Sequence, residues 1–184
     1  MGEPLKTWLE ADGRLLRLRL SRPKANLIDA AMIAALDAAL AQHAASDALG
    51  AVLLDAEGPH FSFGASVEEH LPAECAAMLA GLHALVVRMI ELPVPLLVAV
   101  RGQCLGGGLE VALAGHLLFV APDAALGQPE MKLGVFAPAA SCLLPELIGP
   151  QRALDLLASG RSITGTEAAA VGIALEVASD PEHA

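Results

Sequence analysis

The stretch Leu96-Leu97-Val98-Ala99-Val100-Arg101-Gly102-Gln103-Cys104-Leu105-Gly106-Gly107-Gly108-Leu109-Glu110 decides the fold class, together with the apolar run Leu117-Leu118-Phe119-Val120-Ala121 that follows it. Leu96 to Val100 has no polar residue to alternate with, so it reads as a strand buried on both faces. The glycines open a helix rich in Ala and Leu, and Leu117 to Ala121 returns as another strand. Strand, helix, strand implies a right-handed crossover in a mainly parallel α/β sheet, with ligands held beyond the carboxyl ends of the strands.

Gly106-Gly107-Gly108 exposes amide donors with no side chain in the way, and a helix N-terminus adds positive potential; together they suit a developing oxyanion. The spacing is neither a dinucleotide-binding fingerprint nor a phosphate loop with its Gly-Lys-Ser/Thr ending. Glu110 follows among apolar neighbours. A carboxylate there costs several kcal/mol unless it is paired, hydrogen-bonded or protonated, so a chemical role competes with simple helix stabilisation.

Two further loops are expected at the same sheet end. Ala125-Leu126-Gly127-Gln128-Pro129-Glu130-Met131-Lys132-Leu133-Gly134 places Glu130 after a strand, where it can share a pocket with Glu110. Phe61-Ser62-Phe63-Gly64-Ala65-Ser66 ends a strand in small residues that let a ligand approach the backbone N–H groups.

Outward from these loops, Arg14 to Leu20 alternates, with Leu16, Leu18 and Leu20 on one side, as in a half-buried strand. Apolar residues recur at helical spacing from Asp29 to about Ala44 and from about Pro72 to Glu91, flanking a buried strand at Ala51 to Leu54. Leu143 to about Val177 reads as short helices and a last strand. The 184 residues suffice for one domain, residues 1–184, with a sizeable core.

A hydrophobic share of 55% with 17% charged residues predicts a folded chain, and no apolar run reaches the roughly 20 residues that span a bilayer. With no leader pattern, the chain reads as cytoplasmic, and Cys75, Cys104 and Cys142 as reduced, buried thiols. The net charge of −10 disfavours nucleic acid, and the absence of Tyr leaves few stacking platforms. His60, His70 and Cys75 lack the spacing of a metal site, and Ser62, Ser66 and Ser141 lack a nucleophile elbow.

Taken in order, these segments resemble the crotonase (enoyl-CoA hydratase/isomerase) superfamily over essentially the whole chain. The family's Phe-x-x-Gly-Ala-Asp is similar to Phe61 to Ser66, its Gly-Gly-Gly-x-Glu to Gly106 to Glu110, and its Phe-Gly-x-Pro-Glu to Leu126 to Glu130. A fourth match is Ser159-Gly160-Arg161-Ser162-Ile163-Thr164, then Glu167-Ala168 and Gly172. The resemblance implies a crotonase-like ββα spiral whose C-terminal helical part is missing here. It implies lyase chemistry on an unsaturated acyl-CoA, with no cofactor besides the coenzyme A of the substrate, in a homotrimer or dimer of trimers. The amides of Ala65 and Gly107 would hold the thioester oxygen, while Glu110 and Glu130 would bracket a water.

Departures from the pattern refine this expectation. Ser66 stands for the usual Asp, and Phe136-Ala137-Pro138-Ala139-Ala140-Ser141 replaces Ile-Pro-Gly-x-Gly-Gly, so Phe136, Ala137, Pro138 and Ser66 are expected around a reshaped acyl pocket. Both glutamates are kept, which favours hydration over isomerisation. Gly58 to Glu69 and Gly134 to Pro145 look closest to the branch that hydrates a cyclic dienoyl-CoA. Arg22 and Lys24 are the expected contacts for the coenzyme A phosphates. The alternatives are hydration or isomerisation of a linear acyl-CoA, and a catalytically silent acyl-CoA binder.

Overall fold

A computed structural model describes residues 3–66 and 75–177 of the chain. Leu5–Glu10 (β1) and Leu15–Leu20 (β2) form an antiparallel hairpin, and the turn between them uses positive φ at Ala11, Asp12 and Gly13. From β2 onward, Ala51–Ala56 (β3), Leu96–Val100 (β4), Leu117–Val120 (β6) and Glu176–Val177 (β9) join in parallel, in the order β1-β2-β3-β4-β6-β9. The parallel α/β reading is therefore correct. β1 has no counterpart in that reading because Lys6-Thr7-Trp8-Leu9-Glu10 is mostly polar, as suits an edge strand.

The alternation along β2 sends Leu16, Leu18 and Leu20 into the core, where none is more than 1% exposed. Ala30–His43 (α1) and Cys75–Ile90 (α2) join that core with Met32, Leu36 and Leu40 and with Leu82, Leu85 and Met89. Asp29 caps α1, its Oδ1 accepting from the Met32 amide at 2.8 Å. The expected start of α2 near Pro72, like His70 and Glu69, lies outside the described residues. On the opposite face of the sheet, Asp55 is fully buried between Arg17 and Arg19, whose guanidinium groups also lie over Trp8.

A second sheet is absent from the sequence reading. It pairs Gln103–Leu105 (β5), Ala125–Gly127 (β7) and Ser162–Thr164 (β8) in the order β5-β7-β8. Strands of three residues are too short to show a period of two. Gly107–Leu113 (α3) follows β5, and a 3-10 helix at Pro129–Leu133 follows β7. Pro138–Ile148 (α4), Pro150–Ser159 (α5) and Gly165–Val171 (α6) complete the described chain. α4 starts earlier than the expected Leu143 because Pro138 takes its first position, where a missing N–H costs nothing.

Among the three thiols only Cys104 is buried; Cys142 is exposed and Cys75 intermediate, which corrects the expectation of buried cysteines. Cys142 lies on α4, whose buried positions are Ala139, Ala140, Leu144 and Ile148. Burial pushes the Cys104 thiol well above its usual pKa, so it stays protonated.

Candidate active site

The small sheet assembles the site. Phe61 and Ser62 run beside β5, their amides donating to the carbonyls of Arg101 and Gln103, and the Leu105 amide donates to the Ser62 carbonyl, each at 3.0 Å. The chain then turns at Gly64, whose φ of +104° suits glycine. The Gly64 amide donates to the Ser62 hydroxyl at 3.1 Å, and its carbonyl accepts from Ile28 at 2.9 Å. This turn sets Ala65 against the triglycine segment: a Cβ on Gly107 would stand 3.3 Å from both the nitrogen and the Cβ of Ala65.

Across the same turn, the Gly106 amide donates to the Gly127 carbonyl at 2.9 Å, tying the end of β5 to the end of β7. The amides of Ala65 and Gly107 have no hydrogen-bond acceptor among the described residues. Two backbone donors thus lie side by side with their bonding capacity unspent, at the carboxyl end of a strand.

Each glutamate is anchored, though only Glu130 borders the cavity beside α5. Glu110 is only 3% exposed, and its Oε1 accepts from the Ala140 amide in the first turn of α4 at 3.0 Å. Glu130 leaves the 3-10 helix so that its Oε1 lies 2.6 Å from the place a Gly106 Cβ would take. A side chain at residue 106 would push that carboxylate away. The buried Gln128 side chain, with its amide nitrogen toward Glu130, donates to Oε2 at 3.0 Å and Oε1 at 3.1 Å.

Beside Glu130 opens a cavity of about 210 Å³ lined by Gln128, Met131, Phe136 and Ala137, by Ser141 of α4, and by Leu154, Leu157 and Ala158 of α5. Of the expected acyl-pocket residues, Phe136 and Ala137 line it. Pro138 and Ser66 lie outside that lining: Pro138 is the first residue of α4, and Ser66 follows Ala65 after the turn at Gly64.

Arg22 is committed to an ion pair with Asp29, while Lys24 is exposed. Both flank Ala25, whose carbonyl accepts from the Phe63 amide at 2.9 Å, so they border the first turn. Among the described residues no group of three or more His, Cys, Asp and Glu side chains gathers where it could hold a metal ion, and no helix is long and apolar enough to cross a membrane.

Three supporting residues escape a reading of the sequence. Ser62 is fully buried and packs where Gly108 leaves room, a Cβ there standing 2.5 Å from the Ser62 Cβ. Asn26, at positive φ, donates to the carbonyls of Glu57 and His60 and accepts from the Arg22 amide. Gln128 orients Glu130. Ser62 and Asn26 have neither glycine nor proline as a neighbour in sequence, and only Gln128, between Gly127 and Pro129, carries such a signal.

The enoyl-CoA hydratase/isomerase family matches residues 10–183. The chain belongs to that family. A cyclohexa-1,5-dienecarbonyl-CoA hydratase of Thauera aromatica is 67% identical over 98% of the chain, which spans 70% of that relative's length. A probable enoyl-CoA hydratase of Bacillus subtilis is 34% identical over 90% of the chain and 66% of its own length. The crystal structure of an enoyl-CoA hydratase from Bacillus anthracis superposes with a TM-score of 0.90 at 28% identity, covering 95% of the chain and 70% of that protein. As an enoyl-CoA hydratase/isomerase, the chain has the crotonase fold.

Proposed function

We propose that this chain is a hydro-lyase that adds water to cyclohexa-1,5-diene-1-carbonyl-CoA and forms 6-hydroxycyclohex-1-ene-1-carbonyl-CoA. The observation that carries this reading is the 67% identity, over nearly the whole chain, to the hydratase of that dienoyl ester. The cavity supports it by size. An apolar cavity of about 150 Å³ takes up benzene. The roughly 210 Å³ beside Glu130 therefore suits a six-membered ring with its exocyclic carbonyl.

In this reading the thioester oxygen sits between the amides of Ala65 and Gly107. Attack of water on the β carbon moves charge onto that oxygen, and donors already aimed there stabilise the transition state without reorganising. Each supplies on the order of 3 kcal/mol, or roughly a hundredfold or more in rate. Glu110 and Glu130 manage the protons: one carboxylate takes a proton from water as the C–O bond forms, and one carboxyl delivers a proton to carbon. In the cyclic diene the enolate extends into the ring, so the proton goes to its far end and the remaining double bond shifts. No redox step is needed, and the coenzyme A stays esterified to the product.

The coenzyme A phosphates would meet Arg22 and Lys24 at the mouth. The free thiols accord with a cytoplasmic setting. Self-association as a homotrimer or dimer of trimers belongs to the same proposal and is read by light scattering on an eluting column.

The test is product analysis by mass spectrometry and NMR after incubation with the cyclic dienoyl-CoA and with crotonyl-CoA. The expected result is a hydroxyl on the ring, and hydration of the linear ester alone overturns the cyclic assignment. Glu110→Gln and Glu130→Gln should each lose on the order of 10²–10⁴-fold in kcat. Dependence on only one of them would point to an isomerase.

A further inference from the structure

The geometry points to α5 as the element that sets acyl-group specificity, with Leu154, Leu157 and Ala158 forming an apolar wall of the cavity that Phe136 also lines, one that admits a compact ring in preference to an extended chain. This rests on the reading of the cavity beside Glu130 as the acyl site. The three residues share one face of the helix, since positions three and four apart stack above one another. Ala153 and Leu156 take the neighbouring face and are buried in the core, and Asp155 pairs with Arg161, so α5 is fixed from two sides.

The wall differs in character from the rest of the cavity. Its polar groups are Glu130, Gln128 and Ser141, the last donating from its hydroxyl to the Ala137 carbonyl at 2.6 Å, and none of them comes from α5. Leu154 is 66% exposed and Phe136 68% exposed, although both line the cavity. Large apolar side chains so uncovered at a concave site are surface that an apolar ligand removes from water. A flat, rigid ring covers such surface with little rotational freedom to lose, while a flexible chain must give up more.

One methylene more or less in an apolar pocket changes kcat/KM by roughly 10–200-fold, so substitutions on this wall should move the preference between acyl groups. Ala158→Leu adds bulk inside the cavity, and Leu154→Ala removes one lip. Both positions are exposed, and both replacement residues favour helices, so folding is retained.

The measurement is kcat/KM of wild type and both variants for the cyclic dienoyl-CoA, crotonyl-CoA and 2-octenoyl-CoA, with circular dichroism as the folding control. For Ala158→Leu the ratio of cyclic to crotonyl ester should fall by about tenfold or more. For Leu154→Ala the ratio of octenoyl to cyclic ester should rise. Ratios within twofold of wild type in both variants would overturn the role of α5. Should wild type hydrate only linear esters, the cyclic assignment fails by itself. The wall is then judged by the octenoyl to crotonyl ratio, which Ala158→Leu should lower and which, if unmoved, overturns the inference too.

Discussion

At the scale of a residue, the site is governed by what is missing at Gly106. Its φ of +52° lies in a region that costs a side chain about 1–3 kcal/mol. A Cβ there would also stand 2.6 Å from Glu130 Oε1. The carboxylate is the far end of a flexible side chain, so it gives way cheaply, but it leaves its place beside Gly106. Gly106→Ala should therefore fold, with stability lowered by about 1–3 kcal/mol, and lose on the order of a hundredfold in kcat, as misplacement by about 1 Å does elsewhere. Thermal denaturation and steady-state kinetics on one preparation separate the two effects, and a folded variant with wild-type turnover would refute the placement of Glu130. Glu110 and Glu130 drew notice in the sequence because a carboxylate between Leu109 and Val111 in an apolar stretch, and another after Pro129 in a loop, each need an explanation. Gln128 was not, because nothing in sequence says that a polar side chain beside Pro129 turns inward to hold a neighbour.

At the scale of an element, α3 can sit close to the Phe61 to Ser66 segment only because Gly108 has no side chain. A Cβ there meets the Ser62 Cβ at 2.5 Å, a contact that no rotamer change relieves. Gly108→Ala should cost about 1–3 kcal/mol through overpacking and shift the Ala65 amide from its neighbour. Adding Ser62→Gly, which removes the opposing Cβ, should restore part of the stability, whereas Ser62→Ala should not. Chemical denaturation of the single and double variants checks this, and additive losses would mean the two positions do not meet. The long elements were legible from their periods: β2 from its alternating leucines, α1 and α2 from their apolar stripes, and β4 from its unbroken apolar run. β1 and the small sheet were not. A polar edge strand shows no buried face, and β5, β7 and β8 are recognised only through pairings between distant segments.

At the scale of the whole molecule, the sheet has two faces of different kind. One is the leucine and valine core. The other carries Asp55, fully buried, with the Arg17 and Arg19 guanidinium groups at 2.6–2.7 Å and Trp8 beneath them. Removing one member of such a buried set strands the others, at a cost on the order of 3 kcal/mol. Asp55→Ala should lower stability by about that amount while leaving kcat near wild type in the fraction that stays folded, since β1 to β3 bind this cluster away from the Glu130 cavity. Urea titration followed by activity normalised to folded protein reads both, and unchanged stability would show the cluster to be superficial.

The pairing of Gly106 with Gly127, and of Ser62 with Cys104, has a kinetic corollary. Every strand-to-strand link that builds the small sheet joins positions far apart along the polypeptide, so each loop must close before its contacts bring any return. No short peptide cut from this protein can hold the two donors together. In refolding, catalysis should switch on in one late, concerted event, well after helix formation has run its course.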